Sequence, residues 1–291
     1  LPKQAHQADL QAKAVAAKAT AGDDVIVGTG RADVLRGGAG ADTLDGGAGD
    51  DAYDFTRGDG ADVIDEKIWG GYGDTLRVHG YTLGETHFAR LANDVVITFG
   101  DAGDRVILVN SLALYWDRGV EFVQFDDGTR LDNVGLRAQL FAALKSDGAD
   151  LIYGSAADDV LSGGKGDDFL SGGDGNDTYL YVKGDGDDRI DAMQWSETLR
   201  LVDYTPADVV SALRADPDSI DLVLTFSTPG DRVTLIGALN QGYWHSATIR
   251  FADGTVWDQA AMRQAVVNGL DTAGDDSIVG FDGAETLTAK A

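Results

Sequence analysis

The sequence predicts a mainly β protein built as two tandem flattened coils, each followed by short capping strands and a linking helix, and three observations carry that expectation. The first is a long internal duplication: Gly22-Asp23-Asp24, Gly148-Ala149-Asp150 and Gly274-Asp275-Asp276 recur 126 residues apart. The match runs on through Gly49-Asp50-Asp51-Ala52-Tyr53 with Gly175-Asn176-Asp177-Thr178-Tyr179 and Asp74-Thr75-Leu76-Arg77 with Glu197-Thr198-Leu199-Arg200. It ends with Tyr115-Trp116 against Tyr243-Trp244 and Asp127-Gly128-Thr129 against Asp253-Gly254-Thr255. The second is a period of nine inside each copy, marked by Asp24, Asp33, Asp42 and Asp51 and again by Asp150, Asp159, Asp168 and Asp177. Nine residues are too few for a helical repeat unit but enough for a turn and a minimal strand. The third is composition: 44 of the 49 acidic residues are Asp and Gly reaches 39 of 291, residues that suit tight turns and poorly suit helices.

The elements follow in order. Gln7 to Ala19 reads as a helix, and residues 1–20 as a linker that ends a preceding unit. In the first array, Gly37-Gly38-Ala39-Gly40-Ala41-Asp42-Thr43-Leu44-Asp45 and the nonapeptide from Gly46 to Asp54 both read G-G-x-G-x-D-x-U-x, with U apolar. The glycine-rich six turn the chain, and the last three form a strand whose apolar side chain points inward. Leu35, Leu44 and Tyr53 make that inner column, as do Ile152, Leu161, Leu170 and Tyr179 in the second array. If two motifs make one turn, residues 18 apart stack, so Asp24 lies under Asp42 on one edge and Asp33 under Asp51 on the other. Degenerate motifs at Gly58 to Ile64 and Gly184 to Ile190 close each array. Alternating segments then follow at Asp94 to Phe99, Arg105 to Val109 and Val120 to Phe125, with an Asp-Gly-Thr turn after them. Asn133 to Lys145 and Asp258 to Leu270 read as helices of about three turns, the first with Leu136, Leu140, Phe141 and Leu144 on one face. The resulting division is a first block over 21–146, a second over 147–271, and the start of a third over 272–291.

Carboxylates stacked one strand separation apart, ~4.8 Å, repel unless a cation lies between them. Calcium suits them, accepting six to eight oxygens in flexible geometry, and glycine-rich turns leave carbonyls free to face an ion. Magnesium demands a stricter shell, and zinc would want Cys and His clusters. There is no Cys, and the four His, at 6, 79, 87 and 245, are scattered.

These nonapeptides resemble the RTX (repeats-in-toxin) family with hemolysin-type calcium-binding repeats, and the later strands resemble the segments that follow such blocks in large secreted cytolysins of the adenylate cyclase toxin type. The resemblance implies a parallel β-roll with calcium held between the motif Asp of one loop and that of the loop 18 residues on. It pairs Asp24 with Asp42, Asp33 with Asp51 and Asp42 with Asp62. In the second array it pairs Asp150 with Asp168, Asp159 with Asp177 and Asp168 with Asp188. It also implies carbonyl ligands from Thr20, Gly22, Gly37 and Ala39, from Thr29, Arg31, Gly46 and Ala48, and from Gly38 and Gly40. Their second-array counterparts are Ser146, Gly148, Gly163 and Lys165, then Ser155, Ala157, Gly172 and Asp174, then Gly164 and Gly166. Arg31 and Ala157 stand where the family has Gly, which implies weaker sites there. Glu285 replaces the motif Asp in the third copy, so no complete site is expected in it.

A net charge of -26 disfavours nucleic acid and anionic membrane surfaces as partners. No apolar run approaches the ~18 residues of a membrane span, and the amino-terminal stretch lacks the apolar core of a signal peptide. The sequence therefore reads as a non-enzymatic calcium-binding region, with about two or three ions per block, from a larger secreted bacterial protein. The resemblance implies type I export in an extended form and folding on calcium outside the cell. A calcium-stabilised adhesin or a glycan- or receptor-binding module, using Trp116 and Trp244, stays open as the alternative. Self-cleavage at Asp216-Pro217 and paired catalytic carboxylates at Asp126-Asp127 and Asp253 are less economical than an ordinary loop and hairpin turns.

Overall fold

The computed structural model of the chain describes residues 19–66, 73–100, 103–112, 119–192, 196–216, 219–240 and 246–270. The helix expected at Gln7 to Ala19, the Tyr115-Trp116 and Tyr243-Trp244 pairs, Pro217 and the third copy from residue 272 fall outside these residues. The chain divides into two compact units, Leu1–Ala143 and Leu144–Ala291.

In the first unit, β1 (Val25–Val27), β3 (Thr43–Asp45), β5 (Ala61–Ile64) and β9 (Asp104–Leu108) pair in parallel, while β2 (Val34–Leu35), β4 (Ala52–Thr56), β6 (Thr75–His79) and β10 (Phe122–Phe125) form a second parallel sheet. Successive strands thus alternate between two sheets, the signature of a parallel roll. The register starts at the repeat length: Ile26 faces Leu44 and Leu35 faces Tyr53, both 18 residues on. Insertions then lengthen each turn, so that Leu44 faces Ile64, Tyr53 faces Leu76 and Leu76 faces Val123. The outer edges close differently. β7 (Thr86–Leu91) and β8 (Asp94–Phe99) add to β9 antiparallel, and β11 (Arg130–Leu131) adds antiparallel to β10 through the Asp127-Gly128-Thr129 turn, where Asp127 Oδ1 accepts from the Thr129 amide. An antiparallel strand ends the roll with a hairpin, which needs only a tight turn, where another parallel strand would need a crossover. The helix α1 (Asn133–Leu144) follows.

The second unit repeats the plan. β12 (Leu151–Tyr153), β14 (Phe169–Ser171), β16 (Asp187–Asp191) and β20 (Arg232–Ile236) are parallel, continued antiparallel by β19 (Leu222–Phe226) and β18 (Val209–Arg214). β13 (Val160–Leu161), β15 (Thr178–Tyr181), β17 (Thr198–Leu201) and β21 (Thr248–Arg250) form the facing sheet, ended by β22 (Val256–Trp257) and the helix α2 (Gln259–Leu270). The described residues are therefore mainly β, with two helices.

Each short strand buries its middle or last side chain. Ile26, Leu35, Leu44, Tyr53 and Ile64 form one core column and Ile152, Leu161, Leu170, Tyr179 and Ile190 the other, all buried, while Val25, Val27 and Val34 on the outer faces are exposed. Beyond the arrays the core widens into aromatic clusters. Phe55 and Tyr81 stack on Phe99 at 5.0 and 5.1 Å between ring centroids, and Tyr181, Tyr204 and Phe226 occupy the same place in the second unit. In α1, Leu136, Leu140 and Phe141 are buried as expected, but Leu144 is exposed because the helix ends there and leaves the packed surface.

Because a three-residue strand contributes one core side chain, each should be costly to lose. Leu170→Ala is expected to destabilise the folded protein by about 2–5 kcal/mol, read by denaturant unfolding in calcium, whereas Val160→Ala on the exposed face is expected to change stability by less than about 0.5 kcal/mol.

Candidate metal centre

The motif Asp residues stand immediately before the strands, where each glycine-rich turn delivers its carboxylate to the edge of the roll. One contact recurs along both edges: the backbone N–H of a motif Asp donates to the Oδ1 of the Asp one coil further on. Asp24 donates to Asp42 at 2.8 Å, Asp42 to Asp62 at 3.1 Å and Asp33 to Asp51 at 2.6 Å. In the second unit Asp150 donates to Asp168 at 2.8 Å, Asp168 to Asp188 at 3.1 Å and Asp159 to Asp177 at 2.8 Å. All six stacked pairs that the repeat implied are thus in direct contact, as a ladder in which each carboxylate spends one oxygen on backbone.

The second oxygen has two fates. In the first two loops of each unit the residue at the second motif position carries a hydroxyl that caps the Asp of its own loop. Thr20 and Thr29 bond Asp24 Oδ2 and Asp33 Oδ2 through both amide and hydroxyl, as Ser155 does Asp159 Oδ2, while Ser146 bonds both carboxylate oxygens of Asp150. In the next loops that position is Gly. Asp42 Oδ2, Asp51 Oδ2 and Asp168 Oδ2 are buried and accept no hydrogen bond. A buried charged oxygen without a donor is costly, so these atoms are where a hard cation would be held. The first motif glycine keeps that space open: a Cβ on Gly37 would overlap Asp42 Oδ2, and one on Gly163 would overlap Asp168 Oδ2. At Gly40, φ is +145° and a Cβ would press on Gly22 one coil away, so successive loops can stack only as bare backbone. Stacking brings Thr20 against Gly38, Thr29 against Gly47, Ser155 against Gly173 and Gly148 against Gly166. The Thr29 and Gly40 carbonyls also accept from the Ala48 and Ala61 amides, which leaves one lone pair on each. The donor set is therefore carboxylate and carbonyl oxygen throughout, the chemistry of a calcium shell.

Arg31 and Ala157, where the repeat usually has Gly, lie beneath Gly49 and Gly175, whose missing side chains make the room. His79 Nδ1 lies 2.8 Å from Asp126 Oδ1, at the end of β6 opposite to Asp74, and Asp253 Oδ1 accepts from the Thr255 amide within its hairpin turn.

The ladder extends past the residues the repeat picks out. The Asp51 amide donates to Asp74 Oδ1 at 2.6 Å, and the Asp74 amide to Glu121 Oε2 at 2.8 Å. Glu197, in the place of Asp74, is likewise buried. The only signal for Asp74 and Glu197 in the sequence was their recurrence before Thr-Leu-Arg, because an insertion displaces them from the nine-residue phase.

Burial dominates the electrostatics. It raises Asp42, Asp51 and Asp168 above the usual carboxylate range, with neighbouring carboxylates adding to it and the ladder N–H opposing it. Asp62 is pushed up to about 7 and Asp188 to about 8 for the same reasons. Raised acids bind more protons folded than unfolded, so without metal the fold loses stability as pH rises from the ordinary carboxylate range through about 8. With calcium the sign reverses, because protons compete for the same oxygens. The ion-free chain is expected to gain β signal in far-UV circular dichroism from pH 8 to 5, while its apparent calcium affinity falls over that interval. An affinity constant between those limits would contradict the assignment.

The model of the RTX calcium-binding nonapeptide repeat (4 copies) matches residues 19–53, 146–179 and 270–291, and that of the haemolysin-type calcium binding protein related domain matches 94–134 and 221–261. No curated protein matches the chain. Among solved structures, the extracellular lipase LipA from Serratia marcescens is similar at 20% identity and a TM-score of 0.25, over 75% of this chain. The chain spans 38% of that lipase's length.

Proposed function

Because the chain carries two blocks of RTX calcium-binding nonapeptide repeats, each with its related domain, we propose that it is a calcium-dependent folding region of a secreted bacterial protein. On this reading the region is extended where calcium is scarce, which suits type I export, and closes into rolls outside the cell. The observation that carries it is the ladder: buried carboxylates stacked without donors on their second oxygens. Bound calcium would supply the positive charge that these oxygens lack.

The rest lies in the residues. Asp42, Asp51 and Asp168 offer oxygens from one loop, with the Asp one coil away offering the next. Gly37, Gly163 and their equivalents keep side chains out of the space between. The amides of Asp24, Asp33, Asp150 and Asp159 hold the facing carboxylates in place. Repulsion along the ladder opens the roll when charge is uncompensated, since the two- and three-residue strands of the arrays each add only one apolar core side chain against it. If each ion binds only the folded form, it adds about 2.7 kcal/mol at a hundredfold excess over Kd, so two or three per block would decide folding. The proposed role is structural and regulatory rather than catalytic, and each block is proposed to fold with its own ions.

Replacing one donor-less oxygen tests this. Asp42→Asn and Asp168→Asn are each expected to raise the calcium needed for half-maximal folding about tenfold, the equivalent of ~1.4 kcal/mol, followed by intrinsic tryptophan fluorescence. Exposed Asp127→Asn is expected to leave it unchanged. Equal midpoints for all three variants and the parent sequence would overturn the assignment.

A further inference from the structure

A second kind of acidic centre lies beside the first array, and its argument rests on the calcium-binding reading above. Glu66 follows β5, on the chain that leaves one sheet of the roll, whereas Asp51 and Asp74 stand before β4 and β6 of the other. All three are buried, Glu66 being 5% exposed, and one carboxylate oxygen from each lies within 4.8 Å of the others. Two calcium ligands at 2.3–2.6 Å can be separated by up to about 5 Å across the ion, so the spacing fits a shared shell. The independent observation is Glu66 itself. Neither of its oxygens accepts a hydrogen bond, and Asp51 Oδ2 beside it accepts none either. The nearby Gly46 amide is already donated to the Tyr53 hydroxyl at 2.8 Å. Burial and the negative charges of Asp74, Asp51 and Asp45 raise the Glu66 carboxyl, with the Gly46 backbone opposing them.

We propose that Asp51, Glu66 and Asp74 form a three-carboxylate site for one calcium-sized hard cation at the end of the first array, a site that shares Asp51 with the nonapeptide ladder and is completed by Glu66, which belongs to no motif. The cation would tie the chain leaving β5 to the loops before β4 and β6, fixing the turn where the nine-residue period gives way to insertions. Among the described residues the second unit shows no such three-carboxylate group. Ala192, 126 residues on from Glu66, is buried in its place. The two units therefore differ in the charge that this one position carries.

Glu66→Gln keeps the shape and removes one charge. Native mass spectrometry of the full chain in calcium is expected to show one ion fewer in Glu66→Gln than in the parent sequence, and calorimetry to show one site weakened at least tenfold. In EDTA the same variant is expected to be at least as ordered as the parent, because a buried uncompensated charge is gone. Glu66→Asp, which keeps the charge on a shorter arm, is expected to hold the ion with intermediate affinity, and exposed Glu85→Gln to bind as the parent does. An unchanged ion count in Glu66→Gln, or an Asp variant no better than Gln, would overturn the site while leaving the nonapeptide reading intact. A parent chain that binds no calcium would overturn both.

Discussion

Like charges stacked along the edges of a roll are the constraint on which the rest of this structure depends. A carboxylate every coil is a consequence of the repeat itself, since one residue type at a fixed phase must pile up at one place when the coils stack. At the strand separation of ~4.8 Å two unit charges repel by about 3–4 kcal/mol at an effective dielectric near 20. Backbone donors answer part of this: the amide of each motif Asp is turned to the carboxylate above it rather than to solvent. The hydroxyls of Thr20, Thr29, Ser146 and Ser155 answer it again at the first two loops of each unit. At Asp42, Asp51 and Asp168 neither device reaches the second oxygen, and the geometry calls for a cation.

The same constraint explains the glycines. A turn lined by side chains would fill the space between neighbouring carboxylates, and coils could not approach closely enough to pair their short strands. Glycine at these positions costs conformational entropy, and strands of two or three residues recover little of it. The fold is consequently one in which the hydrophobic column is necessary but thin, and the balance between extended and closed chain lies with the charges. The antiparallel strands β7, β8, β18 and β19 and their stacked aromatic rings supply a broader core at one end of each array, a surface against which the coils can order.

Much of this was legible in the sequence, for a physical reason. Where the period is strict, a register of 18 residues follows from two motifs per coil, and Ile26 against Leu44 or Leu161 against Tyr179 needs no further information. The helices after each block were legible from their apolar spacing and the hairpins from Asp-Gly-Thr. Legibility ends where insertions break the phase. Nothing in the spacing shows that Asp74, 23 residues after Asp51, continues the same ladder, or that Glu66 turns toward both. The hydroxyl caps on the first loops were also missed, because Thr and Ser at a glycine position look like simple degeneracy until the Asp four residues on is seen to accept from them.

The central claim is that the roll closes only when its stacked carboxylates are compensated. Far-UV circular dichroism with size-exclusion chromatography, titrating calcium into EDTA-treated protein beside a magnesium control, tests it most directly. The account predicts a cooperative gain of β signal and a smaller hydrodynamic radius with calcium and not with magnesium. A chain already compact and β-rich in EDTA at neutral pH, unchanged by calcium, would contradict it.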